Sequence, residues 1–299
     1  MDKQPRVCIV GSINMDMVTT TSQVPEQGET VLGEKFETYP GGKGANQAVA
    51  ASRIGADVTM IGSVGQDDFG KSLLSHFQTE GIHHKGIHIS PHVSTGIATI
   101  ILSENDNRII VAPGANARVT PEMIHNSRDV LLASDIILLQ FEIPMETIQF
   151  TIDLAYKHQI PVIVNPAPFQ DIPEDIFKKV TYFTPNEIEL DAMAKTPLFE
   201  AYEDKMIVTK GSDGVQFTTN SGDVKNLPAY KVDVKDTTGA GDTFNGVLAT
   251  ELGRTKNIEH AVKFANVAAA LSIQKIGAQE GMPGRNEVEV FMEQMTKQN

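Results

Sequence analysis

The sequence predicts an α/β fold: a doubly wound, mostly parallel central sheet with helices on both faces, carrying a small β-sheet lid. Three observations support this. Short apolar runs alternate with segments of 3.6-residue periodicity along most of the chain. The middle runs are apolar throughout, as strands covered on both faces are. Two further segments alternate with period two and stand outside the strand–helix rhythm.

Taken in order, the first run at 7–13 (VCIVGSI) follows only MDKQPR. Its four apolar residues before GSINMD are too few for a signal-peptide core, so it reads as the first strand. The stretch 29–39 (ETVLGEKFETY) has period two. Helical spacing covers 44–54 and 69–80, with a strand at 58–64 between them. Residues 97–102 and 109–112 flank a polar turn at 103–107 and read as a hairpin. These pieces, spanning about 14–41 and 95–112, are too small to fold alone and are read as a flap over the main sheet. A helix at 121–133, a strand at 136–143, a helix at 145–158 and strands at 161–168, 181–186 and 205–210 continue the alternation. Two sheet-covering helices close it. One carries Ala240, Phe244, Val247, Leu248 and Leu252; the other carries Ile258, Ala261, Val262, Ala265, Ala268, Ala269 and Ser272. With no repeat, low-complexity tract or linker, 1–299 is expected to be one domain.

At 299 residues the chain can bury a large core without disulfide or metal staples. Twenty-five Lys+Arg against 38 Asp+Glu leave a net charge of −13, which argues against a general nucleic-acid or anionic-membrane binder. No run approaches the ~20 apolar residues of a membrane helix. The single cysteine, Cys8, excludes an internal disulfide and a multi-cysteine zinc site, and reads as a small buried apolar residue. A soluble cytoplasmic protein is the expectation.

The strongest local signal is DTTGAGDTF at 236–244, a glycine-rich turn opening into an amphipathic helix. First-turn N–H groups have no intrahelical acceptor and sit at the positive end of the helix dipole, so the turn suits an anion. Asp242 there either matches the dipole or accepts a proton from an attacking hydroxyl. GGKGANQ at 41–47 is a second glycine turn before a helix, without the spacing of a Walker A loop. GSINMD at 11–16 places Asn14 and Asp16 beyond the first strand's carboxyl end, where open α/β sheets bind ligands, or else forms an Asx turn. Glu142 ends an apolar strand, a costly place for an idle charge. Asn186 and Glu189 begin a helix, where capping suffices as a role. Thr209, Lys210, Gly211, Ser212, Asp213 and Gly214 follow a strand and form either a ligand loop or a hairpin turn. His83, His84, His88 and His92 read as a solvated loop, because Gly86 and Pro91 interrupt any shared helical face.

Together GSINMD, GGKGANQA, FEIP, PNEIE, TKGSDG and DTTGAGDTF occur in one order from about Val7 to Gly284, a series that resembles the ribokinase-like (PfkB) carbohydrate kinases. The resemblance implies ATP-dependent phosphorylation of D-ribose at its 5-hydroxyl, or of another furanose, a ketose or a nucleoside; a non-catalytic sugar sensor is the alternative of a different class. It implies that Asn14, Asp16, Gly42, Lys43, Asn46 and Glu142 contact the sugar and that Asp242 is the general base. Gly239, Ala240 and Gly241 would form the anion hole. Asn186, Thr209, Lys210, Gly211, Ser212, Asp213, Gly214, Gly241 and Asn266 would lie around ATP, with Glu189 organising Mg²⁺. Asp236, Thr238, Ser272, Lys275, Gly277 and Gly281 would hold K⁺, and the lid would pair two copies into a homodimer. Two features depart from the family pattern. Gly281 offers no side-chain oxygen where serine is frequent, and the stretch 186–209 is roughly a dozen residues shorter, about one strand–helix connection.

Overall fold

The structure, a computed structural model, describes residues 4–103, 106–196 and 199–298. Residues 1–3 of the opening run, 104–105 of the expected hairpin turn and 197–198 of the short segment lie outside it.

β1 (Arg6–Val10) leads into β2 (Asn14–Thr20), β3 (Lys35–Gly41) and α1 (Lys43–Arg53), followed by β4 (Asp57–Gly65), α2 (Asp68–Thr79) and β5 (His83–Ser90). Next come β6 (Gly96–Ser103), β7 (Asp106–Ala112), α3 (Pro121–Asn126) and α4 (Arg128–Leu132). The chain continues through β8 (Ile136–Gln140), α5 (Met145–Lys157), β9 (Val162–Asn165), α6 (Glu174–Lys179), β10 (Tyr182–Phe183) and α7 (Glu187–Met193). It ends with β11 (Ile207–Thr209), β12 (Val215–Thr218), β13 (Val224–Leu227), α8 (Ala240–Thr255), α9 (Ile258–Ser272) and α10 (Arg285–Gln298).

Six strands form the expected parallel sheet in the order β10-β9-β8-β1-β4-β5. Alternation along each strand divides the core in two. Val7 and Ile9 of β1, with Ile136 and Leu138 of β8, pack among Val49 of α1, Val247 and Leu248 of α8 and Val262 of α9. Cys8 and Val10, with Ile137 and Leu139, face Ile148 and Ile152 of α5 and Ile176 of α6 on the other side. Both faces are therefore dry, which is why the middle strands carry no polar alternation. Burial pushes the Cys8 thiol up to about 12, so it stays a protonated core residue.

A second sheet, in the order β3-β2-β6-β7, uses the two period-two segments, and β6 pairs with β7 as the expected hairpin. Its β3 begins only at Lys35, so residues 29–34 of the expected strand are not in it.

Four further expectations need correction. The helix at 121–133 breaks at Ser127, whose ψ of 12° leaves helical geometry between α3 and α4. The strand at 205–210 does not join the parallel sheet: β11 pairs antiparallel with β12, and the isolated bridges Phe183↔Met206 and Asn186↔Thr209 tie it to the main sheet's edge. Residues 83–90 are the edge strand β5, not a solvated loop. Only Ile87 and Ser90 among them are buried, so the apolar signal of that strand is faint. The first strand ends at Val10, and residues 11–13 instead turn the chain into the second sheet.

Candidate active site at the switch between β1 and β8

Strand order reverses between β1, which continues to β4, and β8, which continues to β9. In open parallel sheets the crevice beyond the carboxyl ends at such a reversal receives ligands. The loop after β1 and Glu142 after β8 both reach it. Glu142 Oε2 accepts from the Ser12 hydroxyl and from the Lys43 backbone N–H, 3.1 Å away.

Local backbone chemistry brings α1 into the same crevice. Gly42 has φ of 90°, and a Cβ there would lie 2.7 Å from the Asn14 nitrogen; Gly44 would meet Ser12 N at the same distance. Both glycines let α1 start against the β1–β2 turn. Asn14 and Asp16 are two residues apart on β2 and so share a face. Gly41, the partner of Asn14 across the pair, has no side chain where the Asp16 carboxylate lies. Asn116 locks Asn14: its Oδ1 accepts from Ile13 N (2.9 Å), while its Nδ2 donates to Ile13 O and to Asn14 Oδ1 (2.7 Å). The amide hydrogens of Asn14 are thus left for another acceptor.

Asp242, in the first turn of α8, completes the cluster. The residue is only 8% exposed, and its carboxylate accepts from Asn46 Nδ2 at Oδ2 and from Gln47 Nε2 at Oδ1, both at 3.0 Å. Gly239 caps the helix in the left-handed conformation, φ 79°, and a Cβ at Gly241 would meet nothing within 4 Å. The space beside Gly241 is therefore open, while the Ala240 amide donates to Thr237 O at 3.3 Å.

The charges here act on each other. Burial raises the Asp16 carboxyl to about 7, and the negative charges of Glu142 and Asp242 add to the rise. Lys43 loses basicity to burial, but Asp242, Glu142 and Glu189 more than restore it and keep its ammonium charged. A consequence for stability follows. Between about pH 4 and 7 folded Asp16 holds a proton that the unfolded chain has released, so stability falls as pH rises through that window. Asp16→Asn is expected to raise Tm at pH 8, by an amount worth about 2–4 kcal/mol, with the gap closing by pH 4. An equal Tm for both proteins at pH 8 would contradict this.

Other expected site residues form neighbouring groups. Asn186 and Glu189 make a capping box at α7, and Asn186 bridges to Thr209. One Glu189 oxygen is spent on Asn186 N (2.9 Å), and burial raises its carboxyl. Gly211, Ser212 and Asp213 form a 3₁₀ turn joining β11 to β12, so this stretch is a hairpin connection. Lys210 turns its ammonium to Gln216 Oε1 (2.6 Å). A side chain at Gly214 would overlap Leu227 O. Asn266 is buried on α9 and donates to Pro228 O (2.9 Å). Asp236 accepts from Thr238 N and Gly277 N, at 2.9 and 2.8 Å. Gly281 packs so closely on Ser272 O that any side chain would overlap it, while Lys275 is exposed on the intervening turn.

Sequence reasoning missed Gln47, Asn116, Gln140, Asn165 and Gln279, all buried polar residues around this cluster. A buried strand ending in glutamine was the available hint for Gln140, as for Glu142.

Residues 4–285 match the family described as pfkB family carbohydrate kinase. The chain is similar to Ribokinase of Bacillus subtilis (strain 168), 44% identical over 290 residues, covering 96% of this chain and 99% of the relative. It is 33% identical to Deoxyribokinase of Salmonella typhi, with 97% and 98% covered. A solved structure of Arabidopsis thaliana Ribokinase complexed with Ribose and ATP superposes with a TM-score of 0.90 at 28% identity, covering 97% and 99%. With the switch-point cluster, the glycine turns and these full-length likenesses in agreement, the chain belongs to the pfkB family of carbohydrate kinases.

Proposed function

We propose that this chain transfers the γ-phosphoryl group of ATP to the 5-hydroxyl of D-ribose, giving D-ribose 5-phosphate and ADP. The observation that carries this is the buried Asp242 carboxylate beside the amino end of α8, held by Asn46 and Gln47 and near enough to Asp16 to raise its carboxyl. The likeness to ribokinases over nearly the full length supports the choice of sugar.

Asp242 takes the proton from the attacking hydroxyl; a loose phosphoryl transition state needs orientation more than a strong base. Asn14, Asp16 and Asn46 grip the other hydroxyls, and the amides of Ala240 and Gly241 receive charge on the transferring group. Lys43 adds a half-buried positive charge against that group. The β2–β3–β6–β7 sheet acts as the lid that excludes water. Asn186, the 209–214 stretch and Asn266 border ATP.

Among the described residues no three His, Cys, Asp or Glu side chains form a metal cluster. Glu189, with one oxygen spent on its cap, fits Mg²⁺ held by few carboxylates plus phosphates and water. When bound, that ion would offset the negative charge of the phosphates. For K⁺, the 236–238 turn is tied to Gly277, and Gly281 faces the Ser272 carbonyl. Position 281 would contribute a carbonyl, with Asp236, Thr238, Ser272, Lys275 and Gly277 supplying the rest.

No helix among the described residues is long and apolar enough to cross a membrane, and a cytoplasmic location is part of this reading. The lid exposes Phe36 and Ile110 on the face turned away from Asp16, and Ile109 and Val111 on the Asp16 face; the outer pair suits contact with a second copy, and a monomer mass in solution would oppose that pairing.

The test is ADP release from ATP with D-ribose, 2-deoxy-D-ribose, D-fructose and adenosine, in magnesium with and without potassium. The deoxyribokinase likeness keeps 2-deoxy-D-ribose in the panel. Highest kcat/KM for D-ribose is expected, with a gain from potassium. A preference for another acceptor overturns the sugar, equal rates in both salts overturn the cation, and no release with any acceptor favours a sensor.

A further inference from the structure

Both oxygens of Asp242 end a chain of buried amides, and each chain can run in only one direction. An ionised carboxylate only accepts, so the amide facing it must present N–H. Gln47 Nε2 lies 3.0 Å from Asp242 Oδ1 and 3.2 Å from Asn165 Oδ1, which commits both its hydrogens. Its oxygen must then face away, where Gln140 Nε2 donates to it at 2.5 Å. Gln47 and Gln140 are fully buried.

The far end of this chain shows a cost. Gln140 Oε1 has no hydrogen-bond partner among the described residues. It lies against the backbone of Gly11, where any side chain would overlap it. A buried acceptor without a donor is unfavourable. Turning the Gln140 amide over would set two carbonyl oxygens face to face, and relieving that clash would reverse Gln47 and turn an oxygen toward Asp242.

The second chain reaches Oδ2. Asn46 Nδ2 donates to it at 3.0 Å, so Asn46 Oδ1 faces outward and accepts from Gln279 Nε2 at 2.8 Å. Gln279 Oε1 then faces His76 Nε2 at 2.7 Å, and that ring nitrogen must carry the hydrogen. Arg53 Nη1 donates to Gln279 O and pins the segment in place.

We propose that these chains, Gln140–Gln47 and His76–Gln279–Asn46, hold the Asp242 carboxylate in its proton-accepting orientation, which makes Gln47 and Gln279 positioning residues for phosphoryl transfer. The inference rests on the reading of Asp242 as general base. The charged groups that interact with this carboxylate are Asp16 from β2 and Lys43 from α1, with Glu142 after β8 acting on both of these and Glu189 of α7 acting on Lys43.

The experiment measures kcat and sugar KM from pH 5.5 to 9.5 for the full chain and for Gln47→Met, Gln47→Glu, Gln279→Glu and Asp242→Asn, with melting temperature as the check on folding. Gln47→Met is expected to lower kcat about 10- to 100-fold with sugar KM within about threefold. Gln47→Glu sets a second carboxylate against Asp242, so the acid limb of kcat moves up by about one pH unit or more. Gln279→Glu draws the Asn46 amide outward, removes a donor from Oδ2 and moves the limb the same way. Folded variants with the parent's kcat and an unmoved limb overturn the proposal, as does a raised KM with kcat intact. Should Gln47→Glu fail to fold, Gln279→Glu, whose partner His76 reaches the surface, decides alone. Turnover retained in Asp242→Asn overturns the base assignment itself, and this inference with it. An inactive Asp242→Asn beside parent-like glutamine variants overturns only the positioning.

Discussion

Asp242→Asn is expected to lower kcat about 10³-fold or more while ATP still binds. General base catalysis is worth about 10²–10⁴ in rate, and asparagine cannot accept the hydroxyl proton. The geometry adds a second effect. Asn46 and Gln47 both donate to this carboxylate at 3.0 Å, so an amide at 242 satisfies one donor and turns its own N–H₂ against the other. A loss of about 1–2 kcal/mol in stability is therefore expected beside the kinetic loss, read as a lower Tm. Single-turnover phosphoryl transfer, ATP titration and thermal melting separate the three consequences. A kcat within tenfold of the parent would remove Asp242 from the mechanism.

The second large effect is expected at Gly239. Its φ of 79° is a conformation that a β-branched residue rarely adopts, and a Cβ there would lie 2.5 Å from Ala278 O. Gly239→Val must shift either the turn or the 277–279 segment. The turn sets the first-turn amides of α8, through Thr243 N and Oγ1 bonding to Gly239 O at 2.8 and 2.9 Å. The shifted segment carries Gln279, one of the groups that orient Asn46. A kcat loss of about 100-fold or more is expected, the scale seen when one anion-hole donor is lost, together with a lower Tm. Gly241→Ala is the control. Its Cβ meets nothing within 4 Å, so Tm should hold while activity falls, because the added methyl enters the space proposed for the phosphoryl group. If Gly239→Val keeps full activity, the turn does not form the anion hole.

Much of the architecture was legible in the chain. Continuous apolar runs such as 136–139 and 162–164 are buried on both faces, so composition alone marked them as central strands. Segments with one exposed face were harder. β5 lies at an edge with two buried residues, and its histidines suggested solvent in place of a strand. β11 carries the same apolar signature as a parallel strand, yet a hairpin turn at 211–213 commits it to an antiparallel partner. In the site, the residues next to glycine turns stood out because a turn before a helix has a local signature. Gln47 stood one residue beyond Asn46 and carried no such mark. Gln140, Asn116 and Gln279 carried none either, since a buried amide is ordinary in sequence and gains meaning only from what it touches.

By itself, the sequence determined the doubly wound sheet, the two glycine turns, the acidic residue opening the last large helices and the family that this order of motifs resembles. These are properties of neighbours along the chain, fixed by backbone freedom at glycine and by strand and helix periodicity. Only the tertiary structure decided how the Asp242 carboxylate is held. Its partners lie 195 and 196 residues away, and Gln279 is a further 233 from Asn46. Which way each amide points is set by a hydrogen-bond network closed in three dimensions, because an amide reads the same in sequence whether it offers its oxygen or its nitrogen.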